Sequence, residues 1–298
     1  MITEIHLLFG LRALKGPEFF ALKKEKLRIF QGLFKKKVLS WYHQKKIFFT
    51  LIYIYGGNPM CKVDKPITVM KRYEIKYILS PEQREFFEKA VRGYMEPDEF
   101  GLTSIASLYY DTSDYRLINN SIMKPPFKEK IRLRSYGLAD DESPVFLELK
   151  RKAKGIVYKR RVESTVPAVK KFFEGQKGVG SGGQIDRELE YFRDLYGDLK
   201  PSCLVIYDRI AYFQPEGDLR MTIDRNPRFR TEDLDLRVSM EGESLLPEGY
   251  SILEIKVQDA MPLWLCRILS EGKIYKTSFS KYGEAYKRMM NRRLRKAG

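Results

Sequence analysis

The sequence predicts an α+β fold with a largely antiparallel sheet or barrel, and three observations predict it. Eight or nine segments have strand-like composition. Helix-like segments interrupt them without strict strand–helix–strand order, which argues against a parallel sheet. Charged residues also recur at every second position in several of the strands. Side chains alternate faces along a strand, so Lys130, Arg132 and Arg134 form one row while Ile131 and Leu133 face the other way. The same spacing recurs in Arg72, Glu74 and Lys76; Glu148, Lys150 and Lys152; Arg220, Thr222 and Asp224; and Glu254 and Lys256.

Residues 1–69 differ from the rest: they carry 13 basic against 4 acidic residues, interleaved with Phe, Leu, Ile and Tyr. They read as a basic N-terminal extension outside the folded unit, with Met70 able to serve as a start, or as an arm making peripheral membrane contact. Their longest apolar run, Ile47 to Tyr55, is too short for a transmembrane helix. The folded domain is expected over residues 70–294.

Met70 to Leu79 reads as the first strand. Ser80-Pro81-Glu82-Gln83 then starts a helix, with Ser80 as N-cap, Pro81 at the first helical position and Gln83 closing a capping box. Phe86, Phe87, Ala90 and Val91 give it an apolar stripe. A strand over Ser104 to Tyr110 ends in Asp111-Thr112-Ser113-Asp114, good caps for a short helix running through Ile118. Strands follow near Phe127 to Tyr136, Val145 to Lys152 and Ile156 to Val166, the last two forming a hairpin through Ala153-Lys154-Gly155. Pro167 to Glu174 reads as a short helix, and the five glycines of Gly175 to Gly183 as a linker, since neither a preceding strand nor a GK[ST] supports a phosphate loop. A helix over Ile185 to Tyr196 leads to strands near Cys203 to Phe213, Leu219 to Asp224, Phe229 to Val238 and Tyr250 to Val257. Leu263 to Leu269 and Ser280 to Leu294 read as closing helices.

The net charge of +16 points to an anionic partner: nucleic acid, a membrane surface or a phosphorylated molecule. Outside the extension 42 basic residues meet 35 acidic ones, so the rows describe the body better than its total charge does. Cys61, Cys203 and Cys266 have no paired spacing, which indicates neither a disulfide framework nor a zinc site and fits a cytoplasmic location. His6 and His43, both in the extension, are the only histidines. Chemistry in the body must therefore run on carboxylates, cations and metal.

A half-wet sheet with one charged face explains any single row. Together the rows also suit a barrel with the charges inside, and such a lumen needs a polyanion to neutralise it. Triphosphate or polyphosphate offers oxygens to Arg forks and Lys point charges. The carboxylates among the rows, Glu74, Glu148, Asp224 and Glu254, suit Mg²⁺ or Mn²⁺. Nucleic acid is disfavoured, because the cations are not interleaved with a stacking aromatic platform.

Arg72 to Tyr77 (RYEIKY), Ser107 to Thr112 (SLYYDT), Lys130 to Gly137 (KIRLRSYG), Phe146 to Lys150 (FLELK), Tyr207-Asp208-Arg209, Arg220 to Asp224 (RMTID), Leu253 to Lys256 (LEIK) and Phe279 to Tyr282 (FSKY) together resemble the VTC domain. This is the polyphosphate polymerase domain of the vacuolar transporter chaperone family, within the triphosphate tunnel metalloenzyme, or CYTH-like, superfamily. The resemblance implies an antiparallel β-barrel, the triphosphate tunnel, with helices packed outside, ATP and inorganic polyphosphate as substrates, and a metal, usually manganese. It implies that Arg132, Arg134, Lys150 and Arg209 are catalytic and that Lys76, Lys159 or Arg160, Arg220, Lys256 and Lys281 bind the phosphate chain. Glu254 is the expected metal ligand, with Glu74 and Asp224 behind it. Tunnel triphosphatases typically begin with ExExK, whereas this chain has Arg72-x-Glu74-x-Lys76, which favours phosphoryl transfer or binding over hydrolysis. The expected function is a metal-dependent ATP-polyphosphate phosphotransferase; the alternatives are a non-catalytic polyphosphate or nucleotide sensor and a triphosphatase of the same superfamily.

Overall fold

The computed structural model describes residues 73–297 except 154, 155, 181 and 259, all within one compact unit, Val69–Gly298. The basic extension, Met70 to Arg72 at the start of the first predicted strand, the Lys154-Gly155 turn and Ser181 of the glycine-rich stretch lie outside the described residues.

Eleven strands form one antiparallel sheet. They are β1 (Tyr73–Leu79), β2 (Glu96–Pro97), β3 (Thr103–Asp111), β4 (Phe127–Tyr136), β5 (Val145–Ala153), β6 (Ile156–Ser164), β7 (Lys200–Phe213), β8 (Arg220–Arg230), β9 (Glu243–Ser244), β10 (Ser251–Val257) and β11 (Lys276–Thr277). The helices are α1 (Pro81–Ala90), α2 (Arg116–Met123), α3 (Val166–Phe173), α4 (Gln184–Tyr196), α5 (Leu263–Glu271) and α6 (Lys281–Ala297). The main path runs β11-β1-β10-β8-β7-β3-β4-β5-β6, with β2 on β7 and β9 on β8.

The α+β class and the antiparallel pairing agree with the sequence reading, but the sheet does not close into a hydrogen-bonded barrel. Its path ends at β11 and β6, and no ladder joins these ends among the described residues. The outer side of β1 is taken by β11, while the free edge of β6 carries Lys159, Arg160 and Arg161, charges that discourage further pairing. The sheet nevertheless curls. Lys150 on β5 reaches within 3.8 Å of Glu74 on β1, although six strand-to-strand steps would separate those strands by about 29 Å if flat.

Strand alternation divides the apolar residues between faces. On the convex face Leu133, Leu147, Leu149, Leu204 and Ile206 pack against Val169 and Phe172 of α3 and Leu189 and Phe192 of α4. Beside them Leu79, Met221, Ile223, Leu253 and Ile255 pack against Phe87 of α1 and Leu265 and Ile268 of α5. A third cluster lies on the other, concave face: Ile105, Tyr109, Cys203, Val205 and Tyr207 meet Ile118 of α2 and Tyr282 and Ala285 of α6. The expectation that all helices pack outside is therefore corrected for α2 and α6. Ile118 of α2 and Tyr282 and Ala285 of α6 cover that stretch of the concave face, while Leu117 of α2 joins the convex cluster.

Ser80 caps α1 as predicted: its Oγ accepts from the Gln83 amide at 3.2 Å, and Gln83 Oε1 accepts from the Ser80 amide at 3.1 Å. Ser80→Ala is expected to cost about 1 kcal/mol of stability, measured by urea unfolding. The cap of α2 comes from further upstream than usual. Tyr115 at the N-cap position gives no side-chain capping bond, and the Asp111 carboxylate instead accepts from the Leu117 and Ile118 amides at 2.8 and 3.0 Å and from the Tyr282 hydroxyl at 2.8 Å. One buried carboxylate thus ties α2 and α6 to β3.

The predicted strands Leu219 to Asp224 and Phe229 to Val238 are corrected to one strand, β8, followed by a turn. The register against β7 slips between Ile206 and Asp208. That bulge takes up Asn226, at φ 47°, and Pro227, which has no ladder donor. Beyond it the Arg230 guanidinium donates to the carbonyls of Asp233, Asp235 and Ser239 and holds the turn.

Candidate functional site

The cations of the alternating rows meet on the concave face because β1, β4, β5, β6, β8 and β10 each direct one parity of side chains there. They gather around buried carboxylates in two groups.

Glu148 anchors the first group. Its Oε2 accepts from Arg132 Nε and Nη2 at 2.9 and 2.8 Å, Lys159 Nζ lies 2.7 Å from Oε1, and Arg134 and Arg161 each approach within 3.9 Å. Burial pushes this carboxyl up, but Arg132, Arg134 and Lys159 outweigh it and hold the pKa down to about 2. Tyrosines complete the setting: Arg132 donates to the Tyr109 hydroxyl and Arg134 to that of Tyr207, both at 3.1 Å. Burial raises both phenols, yet Arg132 and Lys130 beside Tyr109, and Arg209 and Arg134 beside Tyr207, lower them overall.

Asp224 and Glu254 anchor the second. Arg209 forks onto Asp224 at 2.6 and 2.8 Å, and Lys281, from the start of α6, also pairs with it. Lys76 lies 2.7 Å from Glu254 and 3.3 Å from Glu74, so carboxylates of neighbouring strands converge on one positive charge. Burial raises Glu254, but Lys281, Lys76 and Arg209 hold it well below the carboxylate range. Asp224 is likewise raised by burial and pulled down overall by Lys281 and Arg209, and Glu74 is raised by burial and lowered overall, chiefly by Lys150. Lys76 is pulled down by burial but held above its ordinary value by Glu254 and Glu74.

The remaining predicted residues separate. Lys150 and Lys256 stand on the same face near Glu74, and burial depresses Lys256. Arg220 is exposed at the end of β8, its guanidinium 5.4 Å from the Phe213 ring. Arg160 is on the opposite face, its Nε 2.9 Å from Glu188 of α4. The β5–β6 register decides this: Arg161 pairs with Glu148, whereas Arg160 pairs with Leu149 of the convex core.

Lys130, Arg161, Tyr109, Tyr207 and Thr222 join the concave face without having been singled out as site residues from sequence. Strand parity was the available signal for all five. Lys130 is instructive, since among the described residues its Nζ donates to the Ser280 hydroxyl alone, at 3.4 Å, and lies 5.8 Å from the Tyr282 ring. Burial, with Lys150, Lys128 and Lys76 nearby and only Tyr109 opposing, holds its pKa down to about 8.

The donor chemistry suits a hard divalent cation in part. Glu74, Asp224 and Glu254 offer oxygens only, and the buried Thr222 hydroxyl has no hydrogen-bond partner. Thr222 is also the register partner of Glu254. The Lys76 ammonium already marks a place where two carboxylates accept one cation. No three acidic, His or Cys side chains gather at ligand spacing among the described residues. The protein would therefore contribute one or two carboxylates, the number that Mg²⁺ or Mn²⁺ takes when phosphate oxygens fill the remaining positions. No helix among the described residues is long and apolar enough to cross a membrane.

Among solved structures, the chain is similar to a provisionally named adenylate cyclase of Vibrio parahaemolyticus, with 11% identity over 74% of this chain and 99% of that one and a TM-score of 0.41. A provisionally named adenylyl cyclase of Hippeastrum, described as having a dominant triphosphatase activity, is 17% identical over 70% of this chain and 92% of that one, also at 0.41. These likenesses are too remote to carry an activity. Subunit 2 of the vacuolar transporter chaperone complex of Saccharomyces cerevisiae is 26% identical over 208 residues, 53% of this chain but 25% of that protein. The chain thus spans about a quarter of that relative's length. A model of the VTC domain matches residues 71–290, which include every strand and nearly all of the charged groups described above, and the chain belongs to the VTC domain family.

Proposed function

We propose that this chain is a metal-dependent polyphosphate polymerase that transfers the γ-phosphoryl group of ATP to a growing polyphosphate chain. The observation that carries the reading is charge imbalance in a confined place. Glu74, Glu148, Asp224 and Glu254 are outnumbered by Lys76, Lys130, Arg132, Arg134, Lys150, Lys159, Arg161, Arg209, Lys256 and Lys281 on one curled face. Only a polyanion restores neutrality there, and the curl forms the tunnel through which it runs.

A terminal phosphate oxygen of the polymer attacks the γ-phosphorus, the bond to the β–γ bridging oxygen breaks, and ADP leaves. Arg132, Arg134, Lys150 and Arg209 hold the equatorial oxygens of the transferring group, where charge is spread in the transition state. Lys76, Lys159, Lys256, Lys281 and, at the rim, Arg220 carry the flanking phosphates. Bound Mn²⁺ or Mg²⁺, held by Glu254 with Glu74 or Asp224, supplies further neutralisation of phosphate oxygens. The catalytic domain in this reading is residues 70–294, acting in the cytoplasm, with residues 1–69 outside it.

The full chain incubated with ATP and Mn²⁺ should produce long phosphate polymer, and Glu254→Gln should abolish that product while polyphosphate binding falls less than threefold. The carboxylates are already engaged by cations, which favours a polyphosphate or nucleotide sensor as the second reading. Tight polyphosphate binding by wild type with no polymer formed would select it. Release of free phosphate from tripolyphosphate would instead select a triphosphatase.

A further inference from the structure

Tyr136 and Phe146 form, with Arg161, a cluster at one end of the cationic face, and the phosphate chemistry gives the two rings no role. They share strand parity with Arg134, Glu148 and Lys159 and so belong to the concave face. The two rings are 5.8 Å apart and inclined at 75°, and the Arg161 guanidinium lies 3.6 Å from the Phe146 centroid and 5.7 Å from that of Tyr136. Tyr136 ends β4 and is 48% exposed, so its ring stands at the rim.

The opposite end of the same strands has another chemistry. There Lys128 pairs with Lys152 and Lys130 with Lys150. Phe146 and Lys150 are about 13 Å apart along β5, four residues at roughly 3.3 Å each.

An inorganic phosphate chain has no use for an exposed aromatic ring, whose π face is negative and repels phosphate oxygens. A nucleobase does, because every base has a π face that stacks on aromatic rings and on guanidinium planes. We infer that the rim of Tyr136, Phe146 and Arg161 is the subsite for the base of the nucleoside triphosphate. The triphosphate then runs inward past Arg134 and Arg132, and the polymer occupies the lysine-rich end. This inference rests on the triphosphate reading given above and adds the direction in which the nucleotide lies.

Calorimetric titration of the full chain with ATP and with ribose 5-triphosphate, which keeps the phosphates and lacks the base, tests it. Wild type should bind ATP about tenfold more tightly. Tyr136→Ala should remove that margin with ribose 5-triphosphate affinity unchanged within twofold, and Tyr136→Phe should keep it. Equal affinities in wild type, a measurement that needs no variant, would overturn the base subsite alone. Survival of the margin in the Tyr136→Ala, Phe146→Ala double variant would do the same. Failure of wild type to bind either compound would instead remove the triphosphate reading, and this inference with it.

Discussion

Glu148→Ala is expected to lower folding stability by about 3–5 kcal/mol, seen as an earlier midpoint in guanidinium unfolding. Among the described residues Glu148 is the one carboxylate that pairs with Arg132, Arg134, Lys159 and Arg161. Without it, four cations on the two strands that flank β5 face one another in a partly dehydrated site. Added polyphosphate should restore much of the midpoint, because a ligand that binds only the folded chain stabilises it by mass action. Acid should reproduce the loss in wild type. The carboxyl titrates at about 2 in the fold against 4.5 ordinarily, so the unfolded chain binds its proton more readily. The stabilisation is complete above pH 4.5 and drains away as pH falls toward 2, a contribution on the order of 3 kcal/mol. A Glu148→Ala protein as stable as wild type at neutral pH would show that the four cations need no counter-charge.

Arg134→Ala should reduce polymer synthesis at least tenfold with the fold retained, measured as initial rate at saturating ATP. Arg134 is only 7% exposed and its guanidinium is fixed by the Tyr207 and Ser107 hydroxyls. Its donors are therefore set in place before substrate arrives. Arg134→Lys should recover only part of the rate, because an ammonium keeps the charge but not the planar fork. Unchanged turnover in Arg134→Ala would remove this residue from the phosphoryl-transfer step.

Alternation makes part of the arrangement legible: a two-residue period fixes which side chains of one strand share a face, so Glu74 with Lys76, Arg132 with Arg134 and Glu148 with Lys150 can be grouped from the amino-acid sequence, whereas their roles follow from the family resemblance. Parity does not choose between adjacent residues when the strand register is open. Arg160 and Arg161 are equivalent in sequence, and only the pairing of β6 with β5 separates them. The distribution of helices is less legible, since Tyr282, Ala285 and Met289 make an apolar stripe that says α6 packs on something without saying on which face. The charged rows suit a sheet curled around its cations, but whether it closes is not legible, because closure depends on contact between strands far apart in the sheet. Pro227 reads as a break between two strands, yet a bulge lets one strand run through it.

The open seam has a consequence for how this molecule meets its own copies. Among the described residues the sheet stops at β6, and an edge strand is the template on which other chains can add and start an aggregate. Along that edge Lys159 and Arg161 point to one face and Arg160 to the other, so an approaching identical edge meets like charge whichever way it is turned. Lys159 and Arg161, proposed above to face an anionic substrate, and Arg160 on the other face thus act as guards against self-association, which a barrel closed by hydrogen bonds would not need.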